Sequence, residues 1–150
     1  MDWQKNIITS DEGLREVLDG TKSVAVIGIK MEEDKPAYYV PKYMQNAGCK
    51  VIPVPVFYPD ATEILGERVY RSLTEIPQEV DMVNIFRKPS DVPLHLEDIL
   101  AKKPKSVWMQ SGIRNDEVAE TLAKAGIKVV QDMCLMVEHR ALVGKGISNQ

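Results

Sequence analysis

The chain has 150 residues, 44% of them apolar and 27% charged, with a formal net charge of −3. That is the usual size of one domain with its own core, and the composition excludes a disordered or fibrous protein. The acidic balance, with both signs spread along the chain, argues against a nucleic-acid binder, whose domains carry a basic excess.

Two cysteines, Cys49 and Cys134, and two histidines, His95 and His139, lie too far apart in sequence to form a metal-ligand motif. No apolar run approaches the ~20 residues that span a bilayer. The start, Met-Asp-Trp-Gln-Lys, lacks the apolar stretch of a secretion signal. The expected compartment is the cytoplasm, with both thiols reduced and no membrane partner.

Residues 9–18 open with Thr, Ser and Asp cap candidates and place Leu14, Val17 and Leu18 on one helical face, which Gly20 ends. Ser23 to Ile29 is a short β-branched run of the kind that is covered on both faces in a parallel sheet. After a polar stretch, Tyr39, Val40, Tyr43, Met44 and Ala47 recur at helical spacing up to Gly48. Lys50 to Val56 reads as a second strand whose prolines crowd toward its end. The stretch 57–79 is punctuated by turns, Leu65-Gly66 among them, with Arg68-Val69-Tyr70 as a brief extended piece.

Val80 to Phe86 is the third main strand, and Ser90 or Asp91 is expected to cap a helix carrying Leu94, Leu96, Ile99 and Leu100. Ser106 to Gln110 is a fourth strand, followed by a helix capped at Asn115 or Asp116. Ile127 to Val130 is a fifth, followed by a helix near Leu135 to Leu142, with the last residues frayed. Five apolar strands alternating with amphipathic helices predict a three-layer Rossmann-like α/β fold with a five-stranded parallel sheet, as one domain with its core at about 10–142.

In such a sheet, ligands bind beyond the C-terminal ends of the strands, where the strand order reverses. The first strand end offers Gly28, with Lys30, Lys35 and Pro36 placed for phosphate. The dinucleotide pattern G-x-G-x-x-G and the P-loop are both missing there. Pro53 to Pro55 form an apolar rim suited to an adenine ring. Phe86-Arg87-Lys88 pair an aromatic with two cations, and Gln110, Gly112 and Asn115 make a polar loop. Cys134 and His139 are the one nucleophile and base pair on offer. Glu138-His139-Arg140 also reads as a cluster tying the last helix to the sheet edge.

The ordered set Val26-Ile27-Gly28, Lys35-Pro36-Ala37-Tyr38, Gly48, Val51-Ile52-Pro53-Val54, Ile64-Leu65-Gly66, Val69-Tyr70, Leu73, Ile76-Pro77 resembles the stand-alone CoA-binding protein family. The likeness continues through Val80-Asp81, Phe86-Arg87-Lys88, Trp108-Met109-Gln110, Gly112 to Asn115, Gly126, Asp132-Met133-Cys134 and Glu138-His139. It covers about residues 10–142. That family is similar to the CoA-binding domain of succinyl-CoA synthetase α subunits. The resemblance implies CoA as cofactor, with Gly28, Ile29, Lys30 and Lys35 at the phosphates and Pro53 to Pro55 beside the adenosine. Phe86, Arg87 and Lys88 would line the pantetheine or phosphate route.

Two positions depart from the family. Lys30 stands where a small hydroxyl residue is frequent, and Val54-Pro55-Val56 stand in place of Val-Asn-Pro. Ligase activity does not carry over. The expected function is non-catalytic binding of CoA or an acyl-CoA as a sensor, carrier or accessory module, with a protein partner open. The alternatives are a dinucleotide-binding regulatory protein, or a small enzyme using Cys134 and His139.

Overall fold

The computed structural model describes residues 2–144. The five expected strands form one sheet: β1 (Ser23–Ile27), β2 (Lys50–Val54), β5 (Met82–Ile85), β6 (Ser106–Met109) and β7 (Lys128–Val130). All pair in parallel, in the order β2-β1-β5-β6-β7. Alternate side chains of these runs go to opposite faces. Val24, Val26, Met82, Trp108 and Val130 face one core, and Ala25, Ile27, Val83, Ile85 and Val129 face the other. Helices α1 (Asp11–Asp19), α2 (Pro36–Asn46) and α5 (Leu135–His139) cover the first face. Helices α3 (Leu96–Lys102) and α4 (Asp116–Lys124) cover the second. The result is the three-layer Rossmann-like arrangement.

Two helix starts follow their sequence caps. The Ser10 hydroxyl accepts from Gly13 N, and the Asn115 side chain accepts from Val118 N. The Leu65-Gly66 turn also forms, with both residues at positive φ (57° and 75°). It joins β3 (Glu63–Ile64) to β4 (Glu67–Arg68) as a small antiparallel hairpin. Tyr70 N then bonds the Pro53 carbonyl of edge strand β2 at 2.9 Å.

The chain after β5 differs from expectation. Neither Ser90 nor Asp91 caps a helix there. Residues Pro89–His95 form a 3-10 turn containing Pro93, and the α-helix begins only at Leu96. Pro93 has no N–H for the i−4 bond, so the tighter turn takes its place. Leu94, expected on the buried face, is 71% exposed as a result.

The N-terminal segment adds to the fold. Ile7 bridges Val129 in parallel, and Ile8 N bonds the Val129 carbonyl at 2.8 Å, covering the free edge of β7. At the other end, α5 passes into a π-helical turn, Arg140–Gly144. The frayed stretch expected at the C-terminus lies outside the described residues. No helix of the described residues is long and apolar enough to cross a membrane.

Candidate functional site

The chain leaves β1 toward β2 on one side, and β5 then adds on the other. The strand order therefore reverses between β1 and β5. That reversal opens a crevice past Ile27 and Ile85. Gly28 turns the chain out of the sheet with φ of 85°, its N–H bonded to the Val54 carbonyl at 2.9 Å. A Cβ here would fall 3.1 Å from the Phe86 carbonyl carbon and inside contact distance of its oxygen. Only glycine lets the two strand ends close in this way.

Above that junction lies a cavity of about 490 Å³, lined by Lys30, Lys35, Pro36, Ala37, Tyr39, Phe86, Arg87, Lys88, Gln110, Ser111, Ile113 and Cys134. Four of these are cationic and none is a carboxylate, although the chain as a whole is acidic. Such a concave, one-signed lining concentrates positive potential on whatever enters. The N-terminus of α2 adds to it. Pro36 begins the helix, Lys35 precedes it, and no side chain caps it. The positive end of the helix dipole is therefore left for an anion.

Arg87 is held in two ways. Its Nε–H donates to His95 Nε2 at 3.1 Å, and its guanidinium lies 3.7 Å from the Asp91 carboxylate. Burial, then the Arg87 charge, lowers the His95 pKa, which favours the neutral form whose Nε2 accepts from Arg87. His95 in turn lines a smaller cavity of about 250 Å³ beyond β1 and β2, with Val54, Pro55, Arg71 and Asp98 among its other walls. The Arg87–His95 pair thus lies between the two hollows.

The loops after β1 and β2 are latched to each other. The Tyr58 hydroxyl accepts from Met31 N at 3.1 Å and donates to the Glu32 carboxylate. Arg71 donates to the carbonyls of Phe57, Tyr58 and Ala61, which stabilises Tyr58 at a positive φ of 61°. Lys30 lies 5.7 Å from the centre of the Phe57 ring, a cation–π contact at the rim.

Of the residues singled out in the sequence, Lys30, Lys35, Pro36, Phe86, Arg87, Lys88 and Gln110 meet around the main cavity. Gly28 shapes its floor. Ile29 is fully buried in the core, so only its backbone can face a ligand. Val54 and Pro55 reach the smaller cavity instead. Pro53 reaches neither, because it sits inside β2 opposite Val26. Gly112 and Asn115 also stay off the lining. Gly112 N bonds Asp132 at 2.6 Å, and Asn115 caps α4 while reaching the Pro89 carbonyl at 3.3 Å.

Cys134 and His139 part company. Cys134 lines the cavity, whereas His139 is buried with its Nδ1 2.9 Å from the Tyr43 hydroxyl. The contacts of the Glu138 to Arg140 stretch run to helix α2: besides this bond, the Arg140 guanidinium lies 5.7 Å over the Tyr43 ring. The tie to the sheet edge expected of it is replaced by one to a neighbouring helix. Sequence reasoning missed Tyr39, which joined the helical apolar pattern but is 40% exposed on the cavity wall. Its place three residues after Pro36, in the first turn of α2, was the available signal.

Comparison with known proteins identifies the family and the fold. A family described as a CoA binding domain matches residues 22–140. The uncharacterized protein YneT of Bacillus subtilis is 35% identical over 126 residues, covering 84% of this chain and 91% of that protein. The ADP-forming acetate–CoA ligase I subunit alpha of Pyrococcus furiosus is 33% identical over 129 residues, which cover 77% of this chain and 28% of the subunit. The solved structure of cell-free ID.343 from Thermus thermophilus superposes with a TM-score of 0.82 at 42% identity, over 89% of this chain and 99% of that one.

Proposed function

The chain belongs to the CoA-binding domain family, and from that premise we propose that its main cavity binds CoA or an acyl-CoA without transforming it. One observation carries the reading. Lys30, Lys35, Arg87 and Lys88 surround a cavity with no carboxylate in its wall, at the uncapped start of α2 and at the strand-order reversal. A ligand with several phosphates and an apolar arm matches a cationic rim above Phe86, Tyr39 and Ile113. Lys30 supplies charge at the position where the family resemblance implies a small hydroxyl residue.

A sensing, carrying or accessory role fits better than catalysis. Among the described residues, His139 pairs with Tyr43 and His95 with Arg87, so neither imidazole is hydrogen-bonded to a nucleophile. The similarity to the acetate–CoA ligase subunit spans 28% of that protein, and ligation is said of that protein alone. The same reading assigns the chain to the cytoplasm, where Cys49 and Cys134 carry no structural disulfide.

Calorimetric titration at low salt with CoA, dephospho-CoA, NAD and ATP tests this. CoA is expected to bind best, and dephospho-CoA more weakly for want of one phosphate. Tight NAD binding would instead support a dinucleotide regulator. No heat with CoA would end the proposal.

A further inference from the structure

Cys134 stands on the wall of the main cavity, half-buried, in the turn between β7 and α5. Its side chain makes no cap bond to α5. On the same wall is Gln110, only 4% exposed. The Gln110 carbonyl oxygen accepts from Leu135 N at 3.2 Å and from the Asn84 amide at 3.4 Å. Its amide nitrogen has no acceptor among the described residues. The fully buried side-chain atoms without a partner among the described residues are Asn84 Oδ1 and Ser106 Oγ, so the Gln110 nitrogen is reached from the cavity and can donate to what enters it. The inner wall therefore presents apolar surface from Phe86 and Ile113, one accessible amide donor, and one thiol. Those groups suit the amide-bearing, thiol-ended arm of a ligand whose phosphates lie among the rim cations.

Cys49 provides the contrast. It precedes β2, at the opposite end of the sheet, and its thiol donates to the Thr21 carbonyl at 3.7 Å. Burial, then the nearby Asp81 charge, pushes its pKa up, which suppresses the reactive thiolate.

We propose that Cys134 captures the thiol arm of a CoA-type ligand as a reversible mixed disulfide, so that the site responds to the redox state of its ligand. This deepens the CoA reading and rests on it. The Cys134 thiolate attacks one sulfur of a CoA disulfide. The new S–S bond forms to that half as the old S–S bond breaks, and the other half leaves as a thiolate. That thiolate takes up the proton Cys134 gave to solvent on ionising. Cys134 is oxidised and the departing CoA reduced, so no further oxidant enters. A free thiol reverses the step by the same exchange. Specificity comes from the rim: cations that hold the phosphates raise the effective concentration of the disulfide beside Cys134.

The test is intact-mass spectrometry of the full chain incubated with CoA disulfide or with glutathione disulfide at equal concentration, followed by peptide mapping. One CoA adduct is expected, on Cys134, forming on the order of 100-fold faster than the glutathione adduct. That preference should shrink at high salt. Cys134→Ser should lose the adduct and Cys49→Ser should keep it. Equal rates for the two disulfides, or an adduct that maps to Cys49, would overturn the inference. Titration of Cys134→Ser with reduced CoA separates the two readings. If CoA binds there but wild type forms no adduct, the capture step fails and the binding site stands. If CoA binds to neither protein, the binding proposal itself fails.

Discussion

Gly28 and Phe86 close on each other where β1 and β5 end. Phe86 N donates to the Ile27 carbonyl at 2.9 Å, and the Phe86 carbonyl occupies the space a side chain at position 28 would need. The junction sets how far apart the two loops that bear Lys30 and Arg87 begin. Gly28→Ala would place a Cβ against backbone, at a φ of 85° that L residues disfavour. Left-handed strain and overpacking together suggest a loss of about 3 kcal/mol. Urea unfolding should show a lower midpoint with an unchanged slope. CoA affinity should fall with it, because the site is built on this junction.

The rim cations predict a graded effect. Lys30→Ala removes one charge and leaves the fold intact, for roughly 1 kcal/mol or about a fivefold rise in Kd for CoA. Arg87→Ala should cost more, because it also strips His95 of its donor and Asp91 of its partner. Titrations at two salt concentrations check this. The gap between wild type and Lys30→Ala should narrow at high salt. Unchanged affinity in both variants would move the ligand to another surface.

Much of this was legible because the signals were local. The run Val24 to Ile27 is β-branched or small and fully covered, and the Asn115 cap and the Leu65-Gly66 turn follow from their own residues. What escaped depends on distant partners. Nothing in residues 7–8 announces that they join the edge of β7. Pro93 converts a helix-like pattern into a 3-10 turn, and that turn brings His95 back to Arg87. Pro53 looked like a strand end because prolines often are; the parallel pairing with Val26 keeps it inside the edge strand. Cys134 stood out as a nucleophile, yet its neighbours on the wall are set by β6 and the turn after it.

The histidines give a pH dependence of known sign. Burial lowers the pKa of His95, with the Arg87 charge adding to it, and burial lowers that of His139 against the pull of Asp19. A depressed histidine pKa means the unfolded chain takes up a proton first. Stability is therefore complete above the ordinary value of 6.5 and falls as the pH drops below it, until the folded-state pKa values are passed. Denaturation midpoints measured from about pH 7 to 5 should decline. The double variant His95→Gln with His139→Gln should show a shallower decline. An equal slope in the double variant would assign the effect to other groups.

Asp81 tests whether stability and binding are separable. It lies at the N-terminal end of the sheet, away from the cavity, where its carboxylate accepts from Lys22 N at 2.8 Å and Ser23 N at 3.2 Å and pairs with Lys105 at 3.4 Å. Burial by itself would raise its pKa, but the two amides and Lys105 outweigh that and lower it. Its stabilisation is then present above the ordinary value of 3.8 and lost as the pH falls through the lower folded-state value. Asp81→Ala leaves two strand-start amides without their acceptor, for about 2 kcal/mol. The variant should unfold at lower urea and lose the steepest part of the acid decline, while its CoA affinity stays within about twofold of wild type, under the roughly 0.5 kcal/mol expected of a distant site. A large loss of affinity would mean that the two ends of the sheet are coupled through β1 and β5, and that the cavity is not an independent site.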